Sequence, residues 1–173
     1  MVEVILRAVR VDVGSSTPLL LLEEVGGERV LPIFIGAPEA AAIAYALQGV
    51  SAPRPMSHDL LGHLITALGA RLFAVEITDL RDNTFFANLR LLRGPEEISV
   101  SARPSDAVAL ALRVGAPILV SDELMAAEGK VMDLDALADD EDADEVVDTR
   151  SEAELVDELR QFLDQVRPED FGA

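Results

Sequence analysis

Residues 102–113 read ARPSDAVALALR, and this stretch places the centre of the fold. From residue 107 to residue 112 every side chain is apolar, so a helix here has no polar face and is expected to be buried on all sides. Its start is different, because Arg103, Ser105 and Asp106 are residue types that prefer water, a helix cap or a ligand. The stretch therefore predicts a buried helix whose polar N-terminal rim faces a cleft.

Strand and helix signals continue on both sides of this stretch. Alternation of apolar and polar residues predicts strands, whereas Ala-rich or capped segments with a following glycine predict helices. Ser57 is the predicted N-cap of the helix that begins there. The predicted strands cover residues 2–13, 19–25, 29–35, 71–80, 84–92, 97–102 and 117–120, and the predicted helices cover residues 38–47, 57–68, 104–114 and 121–127.

The order of these elements recurs along the chain. Pro38 and Pro104 lie 66 residues apart, and so do Gly49 and Gly115, each pair bracketing an Ala-rich helix. We interpret this spacing as a duplication of two β-β-β-α-α halves. Such halves predict an α+β fold with one curved, barrel-like, antiparallel-rich sheet and helices outside. The alternative is that helix starts look alike because capping uses few residue types.

The C-terminal third differs in composition from the rest. Residues 1–130 are predicted to form one domain, residues 131–150 an acidic linker that is mobile or irregular at about 133–149, and residues 151–173 an amphipathic helix and tail. A capping box at the start of that helix precedes a single apolar stripe, which is expected to pack in a groove on this chain or on a neighbour. The stripe consists of Leu155, Leu159, Phe162, Leu163 and Val166.

The net charge of −18 is concentrated in the same third of the chain. Residues 1–120 carry ten arginines against thirteen acidic residues, whereas residues 121–173 carry four basic against nineteen acidic residues. No basic stripe is present, which counts against a protein that grips nucleic acid through its phosphates.

Several classes of protein and of site are disfavoured by what the sequence lacks. The chain has no cysteine, which excludes disulfides and cysteine-bound metals. It has no apolar run long enough to span a membrane and no signal peptide, so we expect a cytoplasmic protein without membrane contact. Phosphate-loop, dinucleotide-binding and serine-hydrolase motifs are absent. His58 and His63 lie five positions apart, which places them on different faces of a helix and disfavours a shared zinc ion.

Polar residues at predicted helix starts are the remaining candidates for chemistry. Each has a structural explanation, because acidic residues and serine commonly cap helices. Arg103 beside the free N–H groups of a helix also makes a site for a phosphate-sized anion. Carboxylates near such a site would repel phosphate unless a divalent cation bridges them, and His58 would exchange a proton near neutral pH.

Four segments resemble the bifunctional nuclease (BFN) domain family. They are LPIFIG with Glu39 and Ala40 at residues 31–40, RPMSHDL at residues 54–60, ARPSDA at residues 102–107 and PILVS at residues 117–121. The resemblance implies DNase and RNase activity on one domain, a duplicated α+β fold with a barrel-like sheet, and self-association. The polar residues that match the family motifs are Glu39, His58, Asp59, Arg103, Ser105 and Asp106, whereas Met56 stands where a small polar residue is expected.

Two functional hypotheses follow from the residues and the resemblance. The first is a nuclease that cleaves DNA and RNA with Mg²⁺ or Mn²⁺. Its expected metal ligands are Glu39, Asp59 and Asp106; its catalytic residues are His58, Asp59, Arg103 and Asp106; and its substrate-binding residues are Arg54, Arg103 and Ser105.

The second hypothesis is a non-catalytic, homo-oligomeric interaction or regulatory module whose acidic tail binds a basic protein. A tail that mimics nucleic acid and covers its own domain is compatible with either hypothesis. Positive surface potential around Arg54, Arg103 and Arg113 would favour the nuclease.

Overall fold

Eight strands and four helices make up the part of the chain that the structure, a computed structural model, describes: residues 1–12, 14–50 and 52–131. The strands are β1 (Val2–Asp12), β2 (Thr17–Glu24), β3 (Arg29–Phe34), β4 (Arg71–Arg81), β5 (Thr84–Arg93), β6 (Glu96–Ala102), β7 (Ile118–Val120) and β8 (Lys130–Val131). The helices are α1 (Ala37–Leu47), α2 (Ser57–Ala67), α3 (Pro104–Val114) and α4 (Asp122–Glu128). The fold is α+β, as the sequence predicts.

All eight strands lie in one sheet, in the order β6-β5-β4-β7-β1-β2-β3-β8. Strands β1–β3 and β4–β6 each form an antiparallel meander, and the second begins with a tight turn at Asp82 and Asn83, both with positive φ. Strand β7 joins the meanders, because it pairs antiparallel with β1 and parallel with β4. The described sheet is therefore mixed, although β4–β7 is its single parallel pairing.

The sheet formed by the described strands is open, which corrects the expected barrel-like shape. Strands β6 and β8 are its two edges and do not pair with each other. The reason is the position of β7: inserted between the meanders, it places β6 at one end of the sheet and β3, followed by β8, towards the other.

The duplication remains a prediction. Helices α1 and α3 are each eleven residues long and carry a proline in the first turn, as the repeated spacing suggests. However, β7 separates α3 from α4, whereas no strand is described between α1 and α2. The predicted N-cap of α2 is wrong, because Met56 occupies that position and Ser57 is the first helical residue.

Helix α3 lies at the centre of the described structure, as expected from its sequence. It packs between α1 and α2 and against β4 and β5. Its residues 107–111 are all at most 1% exposed, so the helix buries its side chains on every face. Because this helix is fixed on all sides, the residues of its first turn are held in fixed positions at its polar end.

Helix α2 packs at the surface, in contrast to α3, and has no buried residue. It approaches α3 closely where Gly62 lacks a side chain, since a Cβ there would stand 3.2 Å from Cγ1 of Val114. On its other side four leucines are between 43% and 72% exposed. We call them the α2 leucine face: Leu60, Leu61, Leu64 and Leu68.

The predictions for the C-terminal third fall almost entirely outside the described residues. Residue 131, the first of the predicted acidic linker, belongs to β8, which pairs with β3. The rest of that linker and the predicted helix and tail at residues 151–173 lie outside the described residues. No helix in the described ranges is long and apolar enough to cross a membrane.

Candidate active site

The N-terminal ends of α1, α2 and α3 bring four predicted site residues together. Glu39 lies in the first turn of α1, His58 in the first turn of α2, and Asp106 in the first turn of α3, while Arg103 is the N-cap of α3. All four line one cavity of about 630 Å³ between these helices and strands β5 and β6. The polar starts of α1, α2 and α3 therefore meet in a single cleft.

Arg103 links the side chains of this cleft. Its Nε donates to Asp106 Oδ2 at 2.8 Å and its Nη2 to Asp106 Oδ1 at 3.3 Å, and its Nη1 lies 3.0 Å from Glu39 Oε1. His58 Nε2 lies 3.2 Å from Asp106 Oδ1 on the other side. We call these four residues the Arg103 network. It holds two carboxylates, one guanidinium and one imidazole in direct contact.

The network keeps Asp106 ionised. Burial raises the pKa of Asp106, but the hydrogen bonds from Arg103 and His58 and the charge beside the carboxylate together outweigh burial, so this pKa lies below its ordinary value. The same hydrogen bond from Arg103 to Asp106 raises the pKa of the guanidinium. An ionised Asp106 orients His58, because a carboxylate only accepts hydrogen bonds and Nε2 is therefore the donor. In the neutral tautomer with the hydrogen on Nε2, the lone pair lies on Nδ1.

The two ends of the network differ in exposure. The side chain of His58 is 13% exposed, whereas that of Arg103 is 67% exposed. Arg103 uses three of its five N–H groups within the network, so two remain for a ligand at the mouth of the cleft. This arrangement suits an anion held by Arg103 beside a histidine that accepts a proton.

Asp59 does not join the network, although it follows His58 in sequence. Its Oδ1 accepts from Arg113 Nε at 2.7 Å and its Oδ2 from the backbone N–H of Met56 at 2.9 Å. Arg113 also donates to the carbonyl oxygens of Ala42 and Ala109, both at 2.9 Å. One guanidinium thus binds α1, α2 and α3, and we call this set of contacts the Arg113 clasp.

The pKa of Asp59 lies below its ordinary value. The backbone N–H of Met56 contributes most; burial opposes it; and Arg113, with a smaller contribution from His63, lowers the pKa further. Asp59 is therefore an ionised helix cap and ion-pair partner. Its contacts attach α2 to the other helices and thereby set where His58 stands.

The two remaining predicted substrate residues lie beside the network. Ser105 is 6% exposed and lines a neighbouring cavity of about 400 Å³ together with Glu39 and Arg103. Arg54 is exposed and lines a third cavity, of about 540 Å³, on the other side of His58. Neither residue lines the cavity that contains the whole network.

The expected divalent metal does not fit the side chains as they stand. Within the described ranges no group of three or more His, Asp or Glu side chains is arranged to hold a metal ion. Glu39 and Asp106 carry suitable oxygens, but both face Arg103, and Asp59 faces Arg113. A guanidinium thus stands where a cation shared by these carboxylates would lie.

Sequence reasoning treated Arg113 only as part of a possible positive surface and missed its contacts. Its side chain is 10% exposed. A usable signal was present, because a cation in the last turn of an otherwise apolar helix needs a buried partner. The partner is Asp59, which lies 54 positions away in sequence, so local spacing does not reveal the ion pair.

Known proteins resemble this chain over most of its length. The profile of the bifunctional nuclease domain family matches residues 20–133. An uncharacterized protein of Mycobacterium tuberculosis (strain H37Rv) is 46% identical over 171 residues, which is 99% of this chain and 98% of that protein. Bifunctional nuclease 1 of Oryza sativa subsp. indica is 28% identical over 113 residues, 64% of this chain and 34% of the plant protein. Bifunctional nuclease 1 of Arabidopsis thaliana is 26% identical over 121 residues, 68% of this chain and 37% of that protein.

Proposed function

The chain belongs to the bifunctional nuclease domain family, and from this premise we propose that it hydrolyses phosphodiester bonds in DNA and RNA at the Arg103 network. The observation that carries the proposal is the contact of His58 with Asp106, beside an exposed Arg103, in one cleft. The names of the rice and Arabidopsis relatives support the same class of activity.

In this proposal His58 acts as the general base. Nδ1 of His58 takes a proton from a water molecule as the water oxygen forms a bond to phosphorus. The ester bond on the opposite side of phosphorus breaks, and the leaving oxygen receives a proton from solvent. The imidazolium then returns its proton to solvent. Asp106 stabilises the imidazolium, and the free N–H groups of Arg103 bind the non-bridging phosphate oxygens as negative charge develops there.

Because water is the nucleophile, the proposed reaction applies to DNA as well as to RNA. Deoxyribose has no 2′-hydroxyl, so a mechanism that required attack by that group would be limited to RNA. The Arg103 network touches only the phosphate and the attacking water in this scheme. We therefore assign the sugar no part in the chemical step at this site.

Dependence on Mg²⁺ or Mn²⁺ is a separate part of the proposal. Because Arg103 already forms ion pairs with both Glu39 and Asp106, we propose that a divalent ion is not resident in the free protein and is bound only together with substrate. Isothermal titration of the free protein with Mn²⁺ should then show no tight site. Tight binding in the absence of substrate would contradict this.

The catalytic proposal is tested with matched variants purified in the same way. His58→Ala, Arg103→Ala and Asp106→Asn are each expected to lower kcat/KM for single-stranded DNA and RNA by about 10²–10⁴-fold. Glu123→Gln is the control, because Glu123 is an exposed acidic residue in the first turn of α4, away from the network. Equal activity in all four preparations would show that the cleavage comes from a contaminant.

A second function, an oligomeric interaction module, is supported by the α2 leucine face. Four leucines on one side of a helix form an apolar surface of the kind that covers a protein interface. If this is the function, Leu64→Glu changes the sedimentation coefficient, and the three network variants leave it unaltered. The acidic residues 132–173 would then supply the surface for a basic protein partner.

A further inference from the structure

A second cleft lies on the far side of His58 from the Arg103 network. It is a cavity of about 540 Å³ between α1, α2, the end of α3 and the segment that joins α1 to α2. Tyr45, Arg54 and His63 line it, as do His58 and Asp59. We call it the Arg54 cleft. Because His58 lines this cleft and the cavity of the network, the two spaces meet at the proposed base.

The charges of the two spaces differ in sign. In the Arg54 cleft, Asp59 is neutralised by Arg113, whereas Arg54 has no ion pair or hydrogen bond with any other described residue. The cleft therefore carries an unneutralised guanidinium, with the imidazole of His63 nearby. The Arg103 network instead sets two carboxylates against one guanidinium. A second phosphate of a bound strand is accordingly attracted to the Arg54 cleft.

The cleft also offers a surface for a base. Tyr45, the single tyrosine of the chain, is 38% exposed and lines the same cavity as Arg54. Aromatic faces bind unpaired bases by stacking without regard to sequence. A guanidinium for phosphate and an exposed ring for a base are the two elements that single-strand binding uses.

We infer that the Arg54 cleft binds the nucleotide adjacent to the scissile bond, with its phosphate on Arg54 and its base on Tyr45. This inference rests on the proposed nuclease function and identifies the substrate as a single strand that carries more than one phosphate. His58 stands between the two phosphate positions. The protein should then prefer strands over substrates with one phosphodiester.

The experiment compares two substrates and two arginine variants of the full chain. The substrates are a ten-nucleotide strand and a dinucleoside monophosphate, which has one phosphodiester and no other phosphate. Arg54→Ala is expected to reduce the preference for the strand, measured as the ratio of the two kcat/KM values, by about tenfold, because one phosphate contact is lost. The salt dependence of kcat/KM on the strand should become shallower by about 0.7 in a double-logarithmic plot.

Arg71→Ala is the matched control. Arg71 is likewise an exposed arginine without a described partner, but it begins β4 and does not line the Arg54 cleft. The Arg71→Ala variant should show the same preference for the strand as the unmodified protein. An equal effect of the two variants would overturn the inference, because the loss would then reflect net charge and not the cleft.

A binding measurement separates this inference from the proposed function. If the unmodified protein cleaves neither substrate, the nuclease proposal fails, and fluorescence anisotropy with a labelled ten-nucleotide strand in the presence of EDTA tests the cleft alone. Arg54→Ala and Tyr45→Leu should each weaken that binding several-fold, and Arg71→Ala should not. Binding that is unaffected by the first two variants, or absent altogether, refutes the cleft as a nucleotide site.

Discussion

At the scale of single residues, two neighbours on α2 have different tasks. His58 contacts Asp106 in the Arg103 network, whereas Asp59 contacts Arg113 in the clasp. Consecutive helix positions point about 100° apart, so one turn of α2 serves a reactive cleft and a structural contact at once. We therefore assign Asp59 to positioning, although its chemistry alone also suits a metal ligand.

The lowered pKa values of Asp59 and Asp106 predict how stability depends on pH. Both carboxyl groups titrate lower in the folded protein than in the unfolded chain, where aspartate has a pKa of about 3.9. Their stabilising contribution is therefore complete above that value and is lost as pH falls through the lower folded-state pKa. Urea unfolding between pH 7 and pH 3 should show the decline, and Asp59→Asn should be less stable at pH 7 with a shallower dependence. An unchanged slope in the variant would show that Asp59 is not involved.

Replacing Arg103 tests how the carboxylates of the network are used. Without the guanidinium, Glu39 and Asp106 face each other across the cleft with no cation between them. Arg103→Ala is expected to bind Mn²⁺ more tightly than the unmodified protein, although its activity falls. Calorimetric titration measures the first effect, and Arg113→Lys, altered outside the network, serves as the comparison. Equal Mn²⁺ affinity in all three proteins would contradict the idea that Arg103 occupies a cation position.

At the scale of elements, α2 depends on the Arg113 clasp. The helix has no buried residue, so side-chain burial contributes little to its position. Arg113→Met removes the contacts to Asp59, Ala42 and Ala109 and is expected to destabilise the fold by about 2 kcal/mol, the scale of hydrogen bonds to a charged group. Amide hydrogen exchange should rise throughout α2 more than in β4 and β5. Uniform exchange across these elements would show that α2 is held by other contacts.

The same variant has a functional consequence if His58 is the base. Movement of α2 would shift His58 relative to Asp106, so kcat should fall while binding of the strand through Arg103 is largely kept. Arg113→Lys retains the charge and should recover part of the lost activity. A rise in KM at constant kcat would instead indicate that the clasp shapes the substrate cleft.

The sequence predicted most elements because their signals are local. Alternation, proline positions and glycine at helix ends located every strand except β8 and all four helices of the described chain to within a few residues. The N-cap of α2 was misplaced because serine is a better cap than Met56 by type, whereas Asp59 supplies the capping contact from inside the helix. The sequence showed which helices begin with polar residues. It did not show that the side chain of Asp59 turns away from the network, because that orientation depends on Arg113, which is distant in sequence.

At the scale of the whole molecule, the order of strands was beyond sequence reasoning. The two meanders were predictable from their turns, yet nothing local indicates that the three residues of β7 lie between them. An apolar run of that length fits a buried strand in any sheet position. The open shape of the sheet is therefore determined by pairing between strands that are distant in sequence.

The uneven charge of the chain predicts an effect of the C-terminal third on nucleic acid binding. Most of the net charge of −18 belongs to residues 132–173, which lie outside the described structure. Removing them should strengthen the binding of single-stranded DNA at low salt, because a repulsive charge is lost. The gain should shrink as ionic strength rises and the remaining charges are screened. Anisotropy titrations at several salt concentrations would reveal it, and a salt-independent gain would point to a steric effect instead.

The place of β7 in the sheet also has a consequence for synthesis on the ribosome. The first meander is complete once β3 has emerged, but the edge of β1 that pairs Val2 with Val120 stays uncovered until β7 follows. At about 5–20 residues per second, the intervening stretch of about 80 residues leaves that strand edge exposed for on the order of ten seconds. An unpaired strand edge is a site where chains associate wrongly, so neighbouring nascent chains on one polysome are open to pairing through β1 until β7 covers it.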